Sequence, residues 1–178
     1  MLQKIPIFSK ENKPKEKIEK IDIQSYKRVD IDFSPKIPPL KKIKDKSKID
    51  IRYCLISPFA FAHIRWDPKI YEVTYEIEEP VLNAEEKRLK SQLVPAMKDI
   101  INFETVVKKG DKDLLDYIDE RFKLLAIELG MSMSYESYKK IYYYLARDFL
   151  GFNETEPLLR DYFVEDIECN GLDSPVYI

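Results

Sequence analysis

Residues 71–79 read "YEVTYEIEE", and this stretch decides the fold class. Tyr71, Val73, Tyr75 and Ile77 fall on one side of an extended chain, and Glu72, Thr74, Glu76 and Glu78 on the other. Alternation with period two is the signature of a strand with one face against a core and one in water. The flanking chain fits the same pattern. "IDIRYCLI" (49–56) and "FAFAHIRW" (59–66) are the two preceding strands, divided by Ser57-Pro58 and closed by a turn at Asp67-Pro68-Lys69. The expectation is an antiparallel meander over 49–80 with an acidic outer face.

After Pro80 the period changes. Asn83-Ala84-Glu85-Glu86 is a capping box, and Leu89, Leu93, Met97, Ile100 and Ile101 recur at helical spacing behind it. Pro95 should kink or restart that helix. A second helix is expected from Asp111, with Leu114, Leu115, Ile118, Phe122, Leu125 and Leu129 inward and Gly130 at its end. Ser134 should cap a third, whose stripe is Tyr138, Ile141, Tyr142, Leu145 and Phe149, with Tyr143 and Tyr144 partly off the core and Gly151 closing it. The predicted class is therefore α+β: a small antiparallel sheet (49–80), a three-helix bundle (81–152), and the start of a second sheet over 153–178. That last part runs out along Val164–Cys169, turns at Asn170-Gly171 and returns at Pro175–Ile178. A hairpin opened in the last four residues suggests the front piece of a longer protein.

Residues 1–48 keep neither period and hold Pro6, Pro14, Pro35, Pro38 and Pro39. They read as a flexible arm, with Phe33 and Leu40 touching the body. Charge is uneven: residues 1–50 carry 14 Lys and Arg against 8 Asp and Glu, while the remainder is net −8. A basic arm on an acidic body suits a negatively charged partner or lipid, and Lys41, Lys42, Lys44, Lys46 and Lys48 are the candidate residues. A solvated linker is the plainer alternative. The wealth of Lys, Glu, Ile and Tyr beside only three Gln leans towards a thermophile.

The chemistry inventory excludes more than it offers. The four glycines, Gly110, Gly130, Gly151 and Gly171, stand alone at expected helix ends and turns. A phosphate-cradling loop needs two close together and a dinucleotide fingerprint three, so neither is encoded. The single histidine, His63, lies mid-strand and reads as structural; no metal site is expected. Cys54 and Cys169 are too few for a disulfide framework or a zinc site. The acidic clusters Glu76-Glu78-Glu79, Asp111-Asp113-Asp116 and Glu165-Asp166-Glu168 fit a wet strand face, a helix start and a strand entry. "YKKIYYYLAR" interleaves tyrosines with Lys139, Lys140 and Arg147, but no groove-reading motif accompanies it and nucleic acid is not an expected partner. No apolar run is long enough to span a bilayer and the N-terminus Met1-Leu2-Gln3-Lys4-Ile5-Pro6 lacks a signal-peptide apolar stretch, so a cytoplasmic, at most membrane-peripheral, protein is expected.

Over residues 50–178 the sequence resembles the N-terminal domain of archaeal type II/type IV secretion ATPases. "ISPFAFAHIRWDPKIYEVTYEIEEPVLNAEE" is similar to that family's first sheet and helix. More specific are Arg147-Asp148-Phe149, Gly151, Pro157-Leu158-Leu159-Arg160-Asp161, Glu165-Asp166-Ile167, Asn170-Gly171 and Pro175-Val176-Tyr177. Tyr162-Phe163 stand where the family usually has a proline, and Asn170 replaces a common Asp. The resemblance implies a hexameric motor for secretion, pilus or archaellum assembly. ATP and Mg would belong to a RecA-like domain absent from this chain. The partners it implies are that domain, neighbouring subunits and a membrane platform. No catalytic or cofactor residue is implied among these 178. A free-standing adaptor of such a machine, without ATPase activity, is the alternative.

Overall fold

The computed structural model describes residues 22–40, 42–101, 111–171 and 176–177. Three strands, β1 (Asp50–Ile56), β2 (Ala60–Asp67) and β3 (Glu72–Glu78), form an antiparallel sheet with β2 in the centre. Register follows the predicted alternation: Tyr53 pairs with Ala62 and Ala62 with Ile77, while Arg52 pairs with His63 and His63 with Glu76. One face is thus apolar and the other charged. A register shift between Cys54 and Ile56 interrupts the first ladder, which resumes at Ile56 with Ala60, and the Ser57-Pro58 peptide bond is cis.

Three helices, α1 (Ala84–Ile100), α2 (Asp111–Glu128) and α3 (Tyr135–Leu150), share one core with the apolar face. In α1 both capping-box bonds form, Glu86 N to Asn83 Oδ1 and Asn83 N to Glu86 Oε2, each 2.8 Å. The helix runs unbroken through Pro95 rather than restarting there. Leu89, Leu93 and Met97 are buried in one stripe on either side of the proline, so packing offsets the lost backbone bond. Gly130 closes α2 at φ 61°, with Gly130 N on Ile127 O and Met131 N on Ala126 O. These are the two bonds of a Schellman ending. After α3 a short turn, α4 (Glu156–Leu159), leads to β4 (Glu168–Cys169), which pairs antiparallel with β5 (Val176–Tyr177). The α+β class expected from the sequence is the one observed.

Several local expectations need correction. Tyr143 is fully buried, because α3 lies between its bundle neighbours and the sheet: Tyr142 reaches Leu115 of α2, while Tyr143 stacks on Phe59 at 4.9 Å. Leu129, expected inward, is half exposed, since the helix ends just before it; Tyr117 and Ala126 take up buried positions on α2 instead. Tyr71 is not in β3 but in the preceding turn, at φ 57°. The arm is no loose tether from Asp22 onward. Ile23 and Ile31 sit in the core, Tyr26 donates to the Met133 carbonyl, and Asp32 and Ser57 exchange backbone bonds of 2.9 and 3.0 Å. Phe33 and Leu40 pack on the body as expected. Among the described residues no helix is long and apolar enough to cross a membrane.

Candidate functional site

A polar seam joins sheet, bundle and C-terminal segment. Tyr53 of β1 and Tyr75 of β3 point through the apolar face on either side of β2, whose Ala60 and Ala62 are small. Both phenols donate to one oxygen, Oδ2 of Asp161, at 2.6 and 2.7 Å. Asp161 is buried, and its Oδ1 accepts the Phe163 amide at 2.9 Å. Burial and the neighbouring carboxylate push both tyrosines well above their ordinary pKa, so they remain donors at any physiological pH.

A second knot lies where the sheet exits. Glu79 accepts Tyr143 Oη and both of its oxygens meet Arg147 Nη1, at 2.8 and 2.9 Å. Arg147 also holds Asp148, which takes Lys90 of α1 at 2.8 Å. Tyr144 donates to the Pro80 carbonyl at 2.7 Å, and burial pushes its pKa up to about 12. A third knot is Glu156, with no exposed surface, accepting Phe152 N at 2.8 Å and Arg160 Nε at 2.6 Å. Gly151 is required here by space. A Cβ would stand 2.5 Å from Glu156 Cδ, although the glycine φ is an ordinary −121°. Each buried carboxylate of the seam already has a phenol, guanidinium or amide partner. Such an arrangement holds elements together; it does not leave a carboxylate poised for proton transfer.

On the wet face, His63 sits between Asp50 (Nε2, 2.8 Å) and Glu78 (Nδ1, 2.8 Å), and Glu78 takes Arg52 Nε at 2.6 Å. Hydrogen bonds to Asp50 and then Glu78 raise the histidine pKa, while Arg52 and His63 lower that of Glu78. His63 takes part in a cross-strand charge lattice that Arg65 and Glu76 extend at 2.9 Å. Among the described residues no cluster of His, Cys, Asp or Glu is arranged to hold a metal ion. Cys54 is a free thiol whose pKa burial pushes up. A cleft of about 630 Å³ opens between the arm and α2, walled by Ile31, Phe33, Leu115 and Leu150. Its Arg28 is committed to Asp116 at 2.6 Å and Asp30 at 2.9 Å.

Of the predicted partner-binding lysines, Lys42, Lys44, Lys46 and Lys48 are all exposed, and Lys41 lies outside the described residues. Lys46–Lys48 form a 3-10 turn capped by Asp45, whose side chain accepts the Ser47 amide. This turn packs against β2, at the end of the sheet where β2 turns into β3. Sequence reading missed that neighbourhood and the whole seam. The only local hint was the recurrence of charged residues inside otherwise apolar motifs.

No family model matches the chain. It is 30% identical over 105 residues, 58% of its own length, to the "Uncharacterized protein MJ1288" of the archaeon Methanocaldococcus jannaschii, and the match spans 41% of that protein. The chain therefore covers well under half of a relative to which it is similar.

Proposed function

We propose that this chain is the N-terminal block of a secretion, pilus or archaellum assembly motor, moved as one body by nucleotide events in a RecA-like domain outside these residues. One observation carries the reading. Five of the residues that carry the resemblance, Arg147, Asp148, Gly151, Arg160 and Asp161, take part in the seam and its close approach. Motif residues spent on joining layers suit a part that transmits force rather than one that performs chemistry. ATP and Mg would bind in the domain that follows, and the partners would be that domain, neighbouring subunits and a membrane platform. The place of work would be the cytoplasmic side of a membrane. The coding sequence past Ile178 tests this: a Walker A loop in frame is expected, and a stop codon would overturn it.

The second reading is an adaptor of such a machine with no motor domain. One observation favours it. The archaeal relative is about 105/0.41, or roughly 256, residues long, only about 78 more than this chain's 178, which is short of an ordinary domain of about 100–150 residues. The same reading frame decides between the two.

A further inference from the structure

The β2–β3 hairpin tip combines features that the seam and the bundle leave unused. Ile70 is 56% exposed, Tyr71 77% and Val73 39%. Tyr71 holds a left-handed backbone, uncommon for a bulky residue, and its ring meets Trp66 edge-on at 6.4 Å. Backbone strain that presents an aromatic side chain to solvent commonly marks a working surface. Trp66 N donates to Ile49 O at 3.0 Å, which ties the tip to the 3-10 turn Lys46–Lys48. The exposed Lys46, Lys48 and Lys69 therefore belong to the same end of the sheet, and the exposed Lys42, Ile43 and Lys44 precede that turn in the chain. The opposing charges there are Asp45, Asp67 and Glu72. Asp45 is engaged with Ser47 and Lys48, and Asp67 caps the Lys69 amide at 2.8 Å.

We infer that this tip is a docking surface for an anionic lipid bilayer, with Ile70, Tyr71 and Val73 entering the headgroup boundary and the lysines lying on the phosphates. Aromatic and branched apolar side chains ringed by lysine are what an interfacial anchor needs, because apolar burial and charge attraction add. An acidic protein would match the lysines but not the cluster of bare apolar groups. The inference deepens the expectation that the basic arm meets lipid and is independent of the motor reading, which the reading frame tests separately.

Trp66 is the single tryptophan of the chain and lies within the tip, so it reports directly. The 178-residue chain is titrated with vesicles of phosphatidylglycerol and phosphatidylcholine, and with phosphatidylcholine alone, while Trp66 emission and iodide quenching are followed. The expected result is a blue shift and protection with the anionic vesicles only, reversed by salt. Ile70→Ser with Tyr71→Ser, and separately Lys46→Glu with Lys48→Glu, should each weaken partitioning by roughly tenfold or more. All four positions are exposed, so the unfolding midpoint serves as the control for folding. No vesicle response would overturn the proposal, and so would equal binding to neutral vesicles. An emission change that grows with protein concentration without lipid would assign the tip to a second copy of the chain instead. Binding that survives the Ile70 and Tyr71 changes would place contact in the arm alone and reject the tip.

Discussion

Asp161 shows how much one side chain can do in this fold. Its carboxylate gathers phenols from two strands that are not neighbours, 108 and 86 residues earlier in the chain. Asp161→Ala would leave both buried hydroxyls without an acceptor, at a cost of about 2–4 kcal/mol, whereas Asp161→Asn keeps an acceptor and should cost less. Urea unfolding of the two variants checks the order; equal losses would mean that the site tolerates open hydroxyls. His63 offers a second residue-level test. Its folded pKa is raised above the unfolded value of about 6.5, so its contribution is complete below that value and fades as pH rises through the folded midpoint. Glu78 is lowered and works in the opposite sense, losing its contribution as pH falls through its own folded midpoint. An NMR titration should place the His63 midpoint above 6.5, and Asp50→Asn should lower it. A midpoint at the free-histidine value would remove the carboxylate clamp from the account.

At the level of elements, two glycines separate two physical causes. Gly130 needs a left-handed backbone with open space around it, so Gly130→Ala should cost about 1 kcal/mol. Gly151 has an ordinary backbone but no room, and Gly151→Ala must displace the buried Glu156 from the Phe152 amide. It should therefore cost more than Gly130→Ala in thermal unfolding; the reverse order would show that Glu156 moves freely. Asn83→Ala, which removes one half of the α1 capping box, should cost about 1 kcal/mol by the same measurement. These elements were also the most legible in the sequence. The alternation of β3, the box at Asn83, Ser134 and Gly130 are local signals, and local backbone physics decides them. Tyr143 was not legible, because a single helical stripe presumes one buried face, whereas α3 is covered on two. Tyr71 was lost to the turn because alternation cannot tell a strand residue from one that merely continues its parity.

Over the whole molecule, what the sequence hid was long-range pairing. Residues 22–40 have no period, yet they belong to the core, because a single isoleucine dropped into a gap at Ile23 and another at Ile31 need no repeat. The seam was invisible for the same reason: Asp161 and Glu79 meet partners 64 to 108 residues away, which no local pattern announces. These links tie sheet, bundle and C-terminal segment to one another, as the proposed function requires. Native-state hydrogen exchange over a denaturant series tests that unity most directly. Amides of β1–β3, α1 and α3 should share one opening free energy and one denaturant slope, and Asp161→Ala should lower them together. Sheet amides that open at clearly lower free energy while the helices stay protected would contradict the single body on which the account rests.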